Sequence, residues 1–208
     1  MKKLVTIAAS LLLCMGMQAQ IVSSRSSIVK SEKTPSSTQW VLRAGPSFMN
    51  VSAEGAKMNV GYDVTVGFQK PISTAGAYWG MDFGLASRGC KAEDVKFIAH
   101  DVQYAPFVFG WKIDVAKDIK IDPHASVSVS YDYTSKVKAD GESISWGDFA
   151  DALGVDHNKV DAGLNIGVGA WYGRFNVDLT YHHGFINAFS DSNGFKANNV
   201  MLRVGIAF

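Results

Sequence analysis

From Thr38 to Phe208 the chain alternates apolar residues with polar or small ones at a period of two, and after residue 19 it holds no run of eighteen apolar residues. Period two puts successive side chains on opposite faces of a strand. The missing apolar run leaves no transmembrane helix available. Apolar surface must therefore be buried by strands, in a sandwich, a soluble barrel or a membrane barrel.

Eight strands follow from the alternation, near residues 40–48, 58–69, 77–88, 97–111, 121–133, 160–170, 175–183 and 199–208. The last is the clearest, with Val200, Leu202, Val204, Ile206 and Phe208 on one face and Asn199, Met201, Arg203, Gly205 and Ala207 on the other. The fourth is the least regular: Val102, Tyr104, Pro106 and Val108 share a parity while Phe107 and Phe109 take the opposite one, which predicts a bulged or mixed lower half. Several strands reach eleven residues or more, against about 5–6 in soluble proteins. A strand of about 9–11 residues tilted by about 45° crosses a bilayer.

The N-terminus has a different character. Met1-Lys2-Lys3 is basic, Leu4 to Met17 is mostly apolar, and Gln18-Ala19-Gln20 offers a small residue for cleavage after Ala19. This is the three-part layout of an export signal over 1–19. Residues 20–37, rich in Ser and Lys, read as a flexible periplasmic segment, and 38–208 as the barrel. Cleavage removes two lysines and no acid, leaving 18 basic and 19 acidic residues and the single cysteine Cys90. Balanced charge gives no footprint for nucleic acid, and one thiol cannot form an intramolecular disulfide.

The two faces differ in a way that decides which is inside. The polar face carries Gly, Ala, Ser, Asn and Asp with a few Arg, and little of the Lys, Glu and Thr of a solvated sheet. Small residues fit the tight interior of an eight-stranded barrel. Arg43, Arg88 and Arg203 can pair there with Asp63, Asp82, Asp161 and Asp178, as buried charges must. The opposite face carries no Lys, Arg, Asp or Glu within these strands, so it suits acyl chains. With both termini periplasmic, Trp40, Phe68, Trp79, Trp111, Tyr172, Phe175 and Phe208 gather at the periplasmic strand ends as an interfacial girdle. The connections agree: 70–76, 112–119 and 173–174 are short to moderate, whereas 134–159 and 186–196 are long and polar, although 49–57 is a short outer connection.

With these features the chain resembles the small outer-membrane β-barrel family of OmpX/OmpA-type and PorT-like domains. The fold expected is all-β: an eight-stranded antiparallel transmembrane up-and-down barrel, integral to the outer membrane of a Gram-negative envelope and monomeric. The resemblance implies that Val200, Leu202, Val204, Ile206 and Phe208 form the insertion signal read by the barrel-assembly machinery. Outer-membrane lipids are then partners by construction of the fold.

Nothing in the chain carries recognisable chemistry. Lipid-modifying barrel enzymes have a His followed two residues later by Ser on the lipid-facing side; here His183 is followed by Phe185, so the nucleophile is missing, and His182-His183 reads as an interfacial pair. His100 and His124 are expected in the lumen, without metal spacing. Asp191-Ser-Asn-Gly194 lacks the remaining ligands of a calcium loop. No catalytic residue, metal or cofactor is therefore assigned. In the longest loop Ser145 to Gly154 predicts a short helix whose Trp146, Phe149 and Leu153 either pack as a lid on the rim or form an exposed contact surface for an extracellular ligand. The leading expectation is a plugged, porin-like, non-enzymatic scaffold with a structural or surface-interaction role through its outer loops. The alternatives are a narrow transport or secretion-accessory barrel and, third, a lipid-modifying enzyme.

Overall fold

A computed structural model describes residues 37–51, 57–73, 75–92, 95–139, 142–153, 158–187 and 196–208. The expected export signal over 1–19, and the expected segment over 20–37 except Ser37, lie outside the described residues.

The elements run β1 (Gln39–Val51), β2 (Asn59–Pro71), β3 (Ala77–Ala92), β4 (Val95–Trp111), β5 (Ile113–Ala116), β6 (Ile119–Ala139), β7 (Glu142–Ser145), α1 (Trp146–Leu153), β8 (Val160–Tyr172), β9 (Phe175–Asn187) and β10 (Lys196–Ala207). Eight long strands pair antiparallel in sequence order, β1-β2-β3-β4-β6-β8-β9-β10, and β10 returns to β1 to close the barrel. Closure reaches the last residue, since Trp40 and Phe208 exchange both backbone hydrogen bonds at 3.1 and 2.9 Å. A closed ring leaves no unpaired sheet edge.

The two short strands are hairpin extensions of β6. Residues 134–139, expected within a long polar loop, instead continue β6 along Lys96–His100 of β4 before the chain reverses as β7 and enters α1. Likewise, the expected turn over 112–119 contains β5. β3, β4 and β6 are 16, 17 and 21 residues long, longer than the roughly 9–11 residues that cross a bilayer, and they project at the end opposite Gln39 and Phe208.

Register explains the irregular fourth strand. Tyr104 pairs with Val129 but Phe107 with Val127, so β4 carries one extra residue at Ala105–Pro106. Pro106 has no N–H to give to the ladder and sits where a bulge tolerates it. The bulge flips the parity beyond it. Val108 is thereby buried in the lumen beside Tyr78 and Ala105, while Phe107 and Phe109 point outward and are exposed.

A second slip, one extra residue of β6 between Asp132 and Thr134 opposite His100–Asp101, buries Val137 and turns Lys136 and Lys138 outward; away from the slips the faces follow parity. Leu42, Val64, Phe83, Val102, Val129, Ile166, Leu179 and Leu202 are exposed on the outside, and Arg43, Asp63, Thr65, Asp178, Thr180 and Arg203 are buried within. Gly173 turns β8 into β9 with φ of 57°, a left-handed conformation that glycine adopts at no steric cost. Gly167 is needed for space instead, because a Cβ there would strike the His124 ring and the Thr180 hydroxyl. Gly167→Val is accordingly expected to lower stability by about 1–3 kcal/mol through overpacking, read from the urea midpoint of the refolded barrel. Its outward-facing neighbour variant Ile166→Val should move that midpoint much less.

Candidate functional site

The lumen is organised around Arg203 of β10. Its Nε donates to Asp178 Oδ1 at 2.9 Å and its Nη1 to Asp63 Oδ1 and Thr65 Oγ1 at 3.2 Å each. Nη2 donates to Thr180 Oγ1 at 2.9 Å, and Thr180 in turn donates to Asp178 at 2.8 Å. Asp63 lies on β2 and Asp178 on β9, so one guanidinium ties together strands on both sides of the closing β10–β1 seam. The planar fork of arginine suits this multidentate role. His124 joins from β6, its Nε2 3.1 Å from Thr180 Oγ1 and 3.3 Å from Asp178 Oδ2.

Two further arginines hold the remaining levels. Arg43 reaches Asp82 at 3.4 Å. Arg88 pairs with Asp101 and, at 2.6 Å, with Asp161. Asp161 also accepts from the Ile186 amide at 3.2 Å and faces His182 Nε2 at 3.4 Å, while His182 Nδ1 lies 2.7 Å from Asn165 Oδ1. The mid-barrel cavity among Arg43, Asp82, His124, Thr180 and Arg203 is about 30 Å³, close to one water's share of liquid volume.

At the end where β1 begins and Phe208 lies, a third cluster packs in the lumen. Asp122 accepts from Tyr78 at 3.0 Å and from Trp171 Nε1 at 2.9 Å. Lys112, in the short stretch between β4 and β5, stands 4.0 Å over the Trp171 ring and donates to Gln39 Oε1 at 2.7 Å. Burial pushes its ammonium down to about 8; Asp122 opposes the shift, and Arg43 and Lys120 add to it. A cleft of about 320 Å³ opens beyond this cluster, between Gln69, Pro71 and Gly173.

All seven charges expected in the lumen are therefore drawn into ion pairs: Arg43 with Asp82, Arg88 with Asp161, and Arg203 with Asp63 and Asp178. Sequence reasoning passed over Asp101, Asp122, Tyr78, Trp171 and Lys112. Asp101 and Asp122 were open to the parity argument, being polar residues opposite Val102 and Ile121. Lys112 carried no such signal, because it lies off the strands.

Other expectations need correction. His100, expected in the lumen, is on the outer surface, where its ring stacks on Tyr62 and its Nδ1 lies 3.1 Å from the Tyr62 hydroxyl. Trp146, a candidate for an exposed contact surface, is buried against Phe97 at a ring distance of 4.2 Å and stacked on Phe149 at 5.5 Å. The apolar face of α1 at Trp146 packs inward because Val137 and Phe97 of the projecting strands supply apolar cover. Phe149 is half-buried, and the Leu153 side chain lies outside the described residues. Asp191 to Gly194 also lies outside them. His183 Nδ1 lies 2.7 Å from Asn198 Oδ1, and the ring meets Phe185 edge-on. Among the described residues no cluster of His, Cys, Asp or Glu is arranged to hold a metal.

The aromatic ring expected at the periplasmic strand ends is continuous where its members touch. Trp40 meets Phe68 edge-on at 5.9 Å and Phe68 meets Trp79 at 5.5 Å, while Tyr172, Phe175 and Phe208 are exposed at the same end. The insertion-signal residues expected in β10 face outward, from Val200 through Leu202 and Val204 to Phe208, with Ile206 half-buried among them.

No protein-family model matches this chain, and no curated protein matches it in sequence. Solved structures do. Neisserial surface protein A superposes with a TM-score of 0.50 at 13% identity, over 81% of this chain and 97% of its own. The chain has the fold of the small outer-membrane β-barrels. The outer membrane enzyme PagL (TM-score 0.49, 13% identity, 82% and 99% coverage) and the attachment invasion locus protein Ail of Yersinia pestis (0.43, 16%, 82% and 98%) are also similar. At these identities the likeness is one of fold.

Two outcomes follow from the lumen. Arg203→Met strands Asp63 and Asp178 and should cost about 3–5 kcal/mol in urea unfolding, with part of the loss recovered in Arg203→Met/Asp178→Asn. For Lys112 the folded-state value near 8 lies below the free-lysine value of 10.5. Between them the unfolded chain holds the extra proton, so stability should rise with pH across that window. The difference between wild type and Lys112→Met in unfolding free energy should carry that slope; a flat difference from pH 8 to 10.5 contradicts the assignment.

Proposed function

We propose that this chain is a monomeric integral protein of the outer membrane, with both termini periplasmic, whose barrel is a plugged scaffold and whose role is structural or surface-interactive through its outer end. The observation that carries the reading is the inversion of its surfaces. An uncharged apolar band faces out from every long strand, while paired arginines and carboxylates fill the middle. In water such a band would be a very large exposed apolar patch; in a bilayer it is the solvated face, and the closed ladder pairs strand with strand so that no sheet edge is turned towards lipid. The short β8–β9 turn lies at the end where β1 begins and Phe208 lies, and the chain from β6 to β8 is long at the other, which supports the orientation. Insertion by the barrel-assembly machinery, with β10 as its signal, belongs to the same reading.

The packed lumen supports a scaffold over a channel. A mid-barrel cavity of about 30 Å³, lined by Arg43, Asp82 and Arg203, supports a filled lumen over a wide water-filled one. Reconstituted in planar bilayers, the refolded protein is expected to give no stable conductance steps; reproducible steps would establish the transport reading instead. Leu202→Arg, on the outward face near the middle of β10, should cost about 2–4 kcal/mol of membrane-inserted stability, whereas a water-soluble protein would tolerate it. The orientation is read by labelling: in a Cys90→Ser background, Lys138→Cys should react with an impermeant maleimide on intact cells and Lys117→Cys should not.

A further inference from the structure

Lysines line up on the projecting sheet in a way that cross-strand energetics disfavours. Lys57 and Lys91 form a bridge and exchange both backbone hydrogen bonds, at 2.6 and 3.1 Å. Lys91 is directly opposite Lys96 on β4, and Lys96 is directly opposite Lys138 on β6. Directly opposed residues share a face, and like charges so placed repel. Four lysines thus stand in one row across four neighbouring chain segments, spaced by about 4.8 Å and spanning about 14 Å. Lys136, opposite Ile98, adds a fifth positive charge two residues below. All but the half-buried Lys96 are exposed, and among the described residues none of the five has a carboxylate partner. Between Lys91 and Lys96 the sequence also has Glu93 and Asp94, which lie outside the described residues and are two acids against five lysines.

The ladder also fixes which way the row points. Leu85 and Val102 are an outward-facing pair, and from them the β3–β4 register runs without a shift through Ser87–His100 and Gly89–Ile98 to Lys91–Lys96. The lysines therefore continue the outward face beyond the Tyr62, His100 and Tyr133 cluster, with Val60, Met58 and Ile98 between that cluster and the row. From His100 to Lys96 is four residues, about 13 Å along the strand and about 10 Å along the membrane normal at a tilt near 40°. Headgroups begin at the edge of the hydrocarbon and extend about 5–7 Å, and a lysine stem can fold back by several ångströms to meet them.

We infer that the Lys57–Lys91–Lys96–Lys138 row binds the phosphate groups of outer-leaflet lipid headgroups, holding anionic lipid against one side of the barrel. Phosphate supplies the negative charge that the sheet itself withholds, and ammonium groups at this spacing can share one phosphate between neighbours. A soluble polyanion would be drawn to the loop tips; this row lies lower, on the wall that faces lipid. The inference rests on the membrane reading above.

The test uses the full barrel in phosphatidylcholine vesicles containing a minor fraction of spin-labelled lipid A, either bis-phosphorylated or dephosphorylated. Wild type should immobilise the phosphorylated probe about tenfold more strongly than the dephosphorylated one, because clustered lysines near a membrane surface attract anionic headgroups. The preference should fade when salt rises from about 0.15 M to about 1 M, where the Debye length falls from about 8 Å to about 3 Å. Lys57→Gln/Lys91→Gln/Lys96→Gln/Lys138→Gln should lose the preference while inserting as well as wild type. Lys70→Gln/Lys117→Gln, at the other end, should keep it. Equal immobilisation of both probes by inserted wild type overturns the lysine proposal and leaves the membrane reading intact. Binding of soluble heparin with no lipid preference overturns it in favour of a polysaccharide. Failure of wild type to insert overturns both.

Discussion

The fold depends on a polar centre whose buried charges must be paired. Inside this barrel the space that a soluble domain would fill with leucine and valine holds guanidinium and carboxylate groups. Arg203 alone engages Asp63, Asp178, Thr65 and Thr180 from β2 and β9 while sitting on β10. Taking these charges out of water is costly, and their attraction repays it only with near-complete hydrogen bonding. The glycines make that bonding possible. Gly167 leaves room for His124 and Thr180, and Gly163 leaves room for His182, so each ion pair can form at short range across a narrow lumen. The Arg203 guanidinium therefore spans the β10–β1 seam, with partners on both sides of it.

That arrangement made most of the architecture legible from sequence. A side-chain period of two, kept over strands longer than soluble domains use, assigns each residue to a face without knowledge of tertiary contacts. Arg43, Arg88 and Arg203 then had to find acids on the same face, and Asp82, Asp161, Asp63 and Asp178 are where they found them. Parity fails only where register slips. In β4 the extra residue at Ala105–Pro106 reverses it, which sends Val108 in and Phe107 and Phe109 out. The mixed pattern marked the irregularity, but only the pairing of Tyr104 with Val129 and Phe107 with Val127 locates the extra residue.

What stayed hidden lies off the strands or across them. Lys112 caps the lumen by standing over Trp171, a contact between residues far apart in sequence that no local period encodes. Trp146 was visible as an anomaly in a polar loop, but its direction depended on β4 and β6 projecting far enough to offer Phe97 as a partner. His100 carried a polar label and sits outside, because a ring that stacks on Tyr62 and reaches its hydroxyl is satisfied at an interface without entering the lumen.

The division between a sealed centre and a projecting outer sheet has a functional consequence. Beyond the aromatic cluster β3, β4 and β6 extend past the lumen ion pairs. Their side chains are released from the rule that every charge needs a buried partner. The lysines at 57, 91, 96, 136 and 138 appear only there, outward and unpaired among the described residues, while the outward face below them carries no charge through the apolar band. A barrel that needed those strands for stability would have placed opposite charges across the ladder, as it did in the lumen. Repulsion tolerated at the one level where anionic headgroups would lie is the mark of a surface whose counter-charge comes from outside the chain.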